Sequence, residues 1–241
     1  MQDIIIARRT LVVAALASVL ASCASSGPTS SSAAAIAATA TISPKPSSPT
    51  PVMYAAMPQE RFPIPAVKLA QVDPRYWRQA VDYPTDKKVG TLIVDTPNKF
   101  LYHVLPGGRA VRYGIGVGRD GFSWSGRATV AYKRAWPKWT PPDEMVARDP
   151  RLWPVSKENG GMPPGLTNPL GARALYIHQG GKDTLYRLHG TPEAFSIGKA
   201  VSSGCIRLLN QDVIDLYNNV RDGSTIVVLP DPSKREQHPS A

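Results

Sequence analysis

The chain is poor in the residues that build covalent or metal-bound scaffolds. Its 241 residues include two cysteines and four histidines. Cys23 and Cys205 cannot make a disulfide-dense scaffold, and the lack of any CxxC removes zinc-ribbon and thioredoxin-like readings. Four histidines leave little material for a multi-metal site. Beyond residue 20 no apolar run is long enough to cross a bilayer, which excludes a polytopic membrane protein. Acidic side chains are also scarce, 18 against 28 Lys and Arg, giving a formal net charge of +10. The basic residues are scattered instead of clustered, and no nucleic-acid partner is expected. Proline and glycine, by contrast, are abundant, at 24 and 19, and the excess must sit somewhere. The length and a 42% apolar fraction suit one domain with appendages.

The first cysteine belongs to the leader. Arg8 and Arg9 precede a short apolar run over 11–21, the pattern of an export signal. Leu20-Ala21-Ser22-Cys23 then resembles a bacterial lipobox, which implies a lipidated Cys23 as the mature N-terminus. Ala24 is not the aspartate that retains such proteins in the inner membrane, so the outer membrane is the expected address. Residues 1–22 are read as signal peptide. Residues 23–59 are read as a disordered Ser/Ala/Pro-rich tether, since 24–59 carry a single charged side chain, Lys45. Such a segment cannot offset its own ordering entropy. A flexible segment of this length would span roughly 35 Å. Residues 60–88 read as an irregular strap, with Asp73-Pro74 capping a short turn. A polar tail, 231–241, is expected to be disordered.

The domain between, 89–230, reads as mainly β with one or two helices. Strand-like runs fall at 91–96, 100–104, 111–117, 129–133, 174–178, 184–189 and 225–229. One helix is predicted from Asn210, because Val213, Leu216, Tyr217 and Val220 recur at helical spacing. Asn210 is its expected cap, Asp212 suits its first turn, and Gly223 lies past its end. Strands rarely alternate with helices, so a doubly wound parallel sheet is not expected. Residues 134–172 hold Trp136, Trp139 and Trp153 amid many prolines, with no sustained period. A long internal loop of this kind is read either as a lid over a cleft, with Trp139 its candidate substrate contact, or as an insertion that only packs on the sheet. Gly116-x-Gly118-x-x-Gly121 matches a dinucleotide fingerprint, but no helical period follows, so these are loop glycines at a strand end.

The chemistry concentrates at 189–210. Cys205 lies in a Ser-Ser-Gly turn and is the one thiol left once Cys23 is lipidated. His189 stands sixteen residues upstream at a strand end, so the chain can bring it to Cys205. A thiol nucleophile needs such a base or a nearby cation. Backbone N–H groups around Ser203, Gly204 and Cys205 can hold a developing oxyanion. Arg207 offers a planar donor fork to a substrate carboxylate. Gly190 is a further candidate substrate contact.

His189-Gly190-Thr191 followed by Ser203-Gly204-Cys205-Ile206-Arg207 resembles the YkuD-type L,D-transpeptidase family, in the branch of ErfK, YbiS, YcfS and YnhG. The resemblance extends over 89–230 and includes Gly90-Thr91-Leu92-Ile93-Val94-Asp95 and Asn168-Pro169-Leu170-Gly171. It implies a β-rich catalytic domain of that type and acyl transfer on peptidoglycan stem peptides through a cysteine thioester. Cys205 matches the nucleophile, His189 the base, Ser203 and Gly204 the oxyanion turn and Arg207 the substrate-facing arginine. Many members carry His where this chain has Ser203; the Cys–His pair is untouched by that departure. The acceptor implied is an amine, giving a 3–3 crosslink or an attached protein. Hydrolysis and D-amino-acid exchange use the same donor. No cofactor and no metal is implied.

Two readings from other classes remain beside it. His178, His189 and Cys205 could be three zinc ligands. Alternatively the chain could be a lipid-anchored, non-catalytic wall-binding protein whose charge suits anionic polymers.

Overall fold

A computed structural model of the chain describes residues 51–118, 125–202 and 205–231. The signal, Cys23, most of the tether, Ser203, Gly204 and the tail from 232 lie outside the described residues.

The elements in chain order are β1 (Gln79–Asp82), β2 (Leu92–Asp95), β3 (Phe100–Leu105), β4 (Arg109–Gly114), β5 (Val117–Gly118), β6 (Gly126–Ala135), α1 (Asp143–Arg148), β7 (Arg173–Gln179), β8 (Lys182–Thr191), β9 (Ala200–Ser202), β10 (Ile206–Leu209), α2 (Asn210–Asn219) and β11 (Thr225–Val228). Nine strands form one sheet in the order β1-β4-β3-β2-β11-β6-β7-β8-β10, and β5 pairs with β9. Most neighbours are antiparallel; β11 with β2 and β10 with β8 run parallel. Among the described residues the domain is mainly β with two α-helices, and the parallel pairs do not make a doubly wound sheet.

Helix α2 lies on one face of this sheet. Val213, Leu216 and Val220 join Leu92, Val94, Leu175, Leu188, Ile206 and Ile226 in the central core. Burying each of these side chains stabilises the fold by about 1.5–3 kcal/mol. Strand β2 reads Leu-Ile-Val without alternation because it is buried on both sides at the middle of the sheet. The C-terminal end of α2 has no basic residue of its own. Lys133 of β6 supplies one, donating to the carbonyls of Tyr217 and Val220. Gly223, at φ +85°, then turns the chain into β11.

Three sequence expectations change. First, the tether ends earlier than 59: Tyr54 is buried, packing with Val72, Ile197 and Leu209. Averaged composition concealed a few apolar side chains, Val52, Met53, Tyr54 and Met57, among the prolines. Second, the strap is not wholly irregular. Asp73 accepts from Arg75 N at 2.9 Å over a short 3-10 turn at Pro74–Tyr76, as its Asp-Pro pair implied. The strap then donates edge strand β1 to the sheet. Third, Asn210 does not cap α2. It is the first helical residue, and its side-chain oxygen accepts from Ala172 N at 2.9 Å.

The strap is fastened to α2 through a buried carboxylate. Asp212 is fully buried. Tyr54 Oη donates to it at 3.3 Å and Arg78 Nε stands 3.6 Å away. Arg78 also reaches Asp215 at 3.0 Å. Burial raises the Asp212 pKa to about 7, overriding the lowering pull of Arg78. The folded state therefore holds a proton that the unfolded chain releases near pH 4. Stability contributed by this group is present below pH 4 and is lost as pH rises toward 7. Asp212→Asn should remove that decline, which is on the order of 4 kcal/mol over the whole window. Denaturant midpoints measured from pH 5 to 8 read it, and an unchanged slope in the variant would refute it.

Candidate active site

The piece absent from the sequence reading is β10. Four residues separate Cys205 from the helix, and they form a strand, not a turn. The strand lies parallel to β8 with Ile206 opposite Leu188, Arg207 opposite His189 and Leu209 opposite Thr191. Ile206, Leu208 and Leu188 face the core, fully buried. Alternation then puts Arg207 and His189 side by side on the other face. Cys205 directly precedes β10, beside Arg187 of β8. Both Arg187 and Arg207 act on its thiol electrostatically. Arg207 is fixed by backbone exchange with Gly116, at 2.8 and 2.9 Å. A Cβ at Gly116 would come within 2.6 Å of the Ser196 carbonyl. The first glycine of the GxGxxG is thus required by packing against the site.

His189 is buried, and its Nδ1 lies 2.6 Å from the Gly190 carbonyl. A carbonyl only accepts, so a proton on Nδ1 serves this contact, and the Pro169 carbonyl also draws on a ring N–H. Burial lowers the imidazole pKa to about 4, against the raising effect of the Gly190 and Pro169 carbonyls; Arg207 and Arg187 add to the fall. Burial also pushes the Cys205 thiol up, opposed by a backbone hydrogen bond from Arg187 and by the two guanidinium charges. At neutral pH the pair is therefore imidazole and thiol, not imidazolium and thiolate. An attack by the sulfur from this state would require the thiol proton to move, the task for which His189 is the candidate base.

The wall beside the thiol is a bulge. Strands β7 and β8 shift register between Tyr176 and His178, so Thr184–Tyr186 oppose Ile177 alone. Leu185 there adopts φ +63° and is 75% exposed. Its carbonyl accepts from Cys205 Sγ at 3.9 Å. Bulges commonly re-aim groups beside active sites. Arg187 is locked in place: Asp183 holds it bidentately at 2.7 and 2.8 Å, and its guanidinium lies 4.3 Å over the Tyr176 ring. Tyr176 in turn stacks on Tyr132 at 4.4 Å. Arg207 is held differently, by Glu193 at 2.7 Å through one nitrogen.

The register thus sets Arg207 beside His189, with Cys205 directly before β10 and its thiol within electrostatic reach of Arg207. Gly190, expected to touch substrate, has its Cα turned to the helix side. A Cβ there would run into Asn210 Oδ1 and approach Val213 to 3.0 Å. Its absent side chain admits α2, while its carbonyl orients His189. Trp139 exchanges backbone hydrogen bonds with Met162 within the 134–172 segment, at 3.0 and 2.7 Å. That segment also contains α1 and a 3-10 stretch at Pro150–Val155. His178 sits edge-on to Tyr132 at 5.9 Å. Among the described residues, no three His, Cys, Asp or Glu converge to hold a metal. Ser203, Gly204 and Cys23 lie outside the described residues.

Arg187, Leu185 and Glu193 went unnoticed in the sequence. Only Arg187 had a readable signal, standing two residues before His189 on the same strand face.

Comparison with known proteins identifies a family. The YkuD family model, described as the L,D-transpeptidase catalytic domain, matches residues 90–229. "Probable L,D-transpeptidase YcfS" of Escherichia coli K12 is 34% identical over 158 residues, which is 62% of this chain and 47% of that protein. "Probable L,D-transpeptidase ErfK/SrfK" of the same strain is 34% identical over 157 residues, 61% and 46% of the two chains. A crystal structure described as a probable carnitine operon oxidoreductase from Brucella melitensis is 43% identical. It covers 67% of this chain and 99% of that one, with a TM-score of 0.46. The chain spans about half the length of the curated relatives it matches. A family model that covers more than half of the chain, and a sheet register that gathers the residues of the family's motif, lead to one assignment: the chain belongs to the YkuD family of L,D-transpeptidase catalytic domains.

Proposed function

We propose that the protein is a peptidoglycan L,D-transpeptidase. The observation that carries this reading is the register that sets Arg207 beside His189 with Cys205 next in line. In the proposed donor half-reaction His189 takes the thiol proton and Cys205 Sγ attacks the carbonyl of the third stem residue, diaminopimelate. The C–N bond to terminal D-alanine breaks, and the proton returns to the leaving amine. In the acceptor half-reaction an amine attacks the thioester and regenerates the thiol. An amine on a second stem gives a 3–3 crosslink; an amine on a protein gives attachment to diaminopimelate. Water or a free D-amino acid as acceptor would give carboxypeptidase or exchange activity on the same donor. The protein would work outside the inner membrane, with Cys23 lipidated and the outer membrane as its anchor; the leader's basic start, apolar run and lipobox support that address.

Incubation with isolated sacculi, followed by mass analysis of the muropeptides, tests the reaction. New 3–3 crosslinked or D-alanine-depleted species are expected. Unchanged muropeptides with an unmodified Cys205 would refute it.

A further inference from the structure

We propose that Glu193 is a specificity-determining residue, holding Arg207 until a carboxylate of the substrate takes its place. The proposal rests on the reading above, in which Arg207 faces the donor.

The motive is a contrast between ion pairs of one molecule. Arg187 is gripped through two nitrogens by Asp183 and covered by Tyr176. Arg173 is gripped through two nitrogens by Glu60, and both side chains are nearly buried, at 11% and 13% exposure. These pairs are built to stay. Among the described residues Arg207 has a single side-chain nitrogen engaged, Nη1, and its acid is 49% exposed while the arginine itself is 17% exposed. Arg207 Nε is buried with no hydrogen-bond partner among the described residues. The Nε atoms of Arg109, Arg112 and Arg173 share that condition, but Arg207 alone of these stands beside the thiol and the imidazole.

A guanidinium fork is matched by two oxygens of one carboxylate. Glu193 supplies one contact to that fork, and a buried donor left unmade carries a desolvation cost. An incoming carboxylate can engage Nε together with a neighbouring nitrogen and recover it. Glu193 comes from a turn whose side chain is half in water, so its release restores rotamer freedom and hydration and costs little. A neutral substrate group gains nothing from this exchange, because it cannot displace the glutamate. Glu193 therefore tempers the preference of Arg207 for anionic donors, the class expected of diaminopimelate-containing stems: it competes with a carboxylate and leaves the binding of a neutral group unchanged.

Glu193→Gln removes the competing charge without altering the shape of the turn. The KM for a tetrapeptide donor should fall about threefold, the scale of an exposed ion pair, with the change carried in KM and not in kcat. The same donor with its diaminopimelate carboxyl amidated should show no such gain. Calorimetric binding of the tripeptide product, acid against amide, reads the same contrast without turnover. It therefore decides the proposal even if the protein proves inert as a transpeptidase. An equal effect on acid and amide, no effect on either, or weaker binding of the acid would each overturn it.

Discussion

Cys205→Ala should abolish acyl-enzyme formation with a tetrapeptide donor, and no other single substitution is expected to remove more activity. The variant should fold, because the thiol is half-buried at a bend before β10 and carries no core contact on the scale of Ile206 or Leu208. Wild-type protein treated with a carbapenem should gain the mass of one adduct on the peptide containing Cys205, and the variant should gain none. Thioester or transfer product retained by the variant would sink the assignment of the nucleophile. Plain alkylation at neutral pH is the poorer probe. Burial raises the thiol pKa, so slow reaction with a small alkylating agent is expected of a catalytic thiol here as much as of an inert one. Acylation by a substrate-like ligand discriminates, since it calls on His189 and the surrounding donors together.

The second large effect falls on His189. His189→Asn should lower kcat/KM by about 10²–10⁴-fold, the usual worth of a positioned base. The sharper measurement is the pH profile of the wild type. An ordinary histidine near pKa 6.5 would place the acid limb of kcat/KM there. With the imidazole lowered to about 4 by burial, activity should persist through pH 5 and fall only near 4. An acid limb at 6.5 would refute the buried, neutral imidazole. The same shift bears on stability with the opposite sign to Asp212. The unfolded chain binds a proton at this histidine between about pH 6.5 and 4 while the folded one does not, so stability rises with pH across that window and is level above it.

Much of this was legible in the sequence, for reasons that differ by element. The strands at 92–95, 173–179 and 182–191 declared themselves through β-branched and aromatic runs flanked by glycine turns. Helix α2 declared itself through apolar spacing, and the Cys–His pair through chemistry that few other contexts explain. Strand β10 was hidden because Ile-Arg-Leu-Leu is short, and the pairing that makes it a strand comes from β8, remote in sequence. The end of the tether was hidden because Tyr54 is buried by Leu209 and Val72, a long-range contact that composition cannot display. Leu185 was hidden for a third reason: nothing about a leucine announces a left-handed backbone, which is imposed by the register shift around it. Gly190 shows the converse, a motif residue whose position is dictated by a neighbouring helix.

Strand β11 has a bearing on the order in which the chain can fold. It sits in the middle of the sheet, between β2 and β6, yet it is synthesised after every other described strand. Until residues 225–228 are present, β1–β4 on one side and β6–β8 with β10 on the other have no shared strand. A nascent chain therefore carries two incomplete half-sheets, each with an open edge facing the gap, and parallel closure onto β2 is slow because its partners are so far apart in sequence. Closure of the sheet therefore waits on its C-terminal strand, which must enter between two edges already laid down.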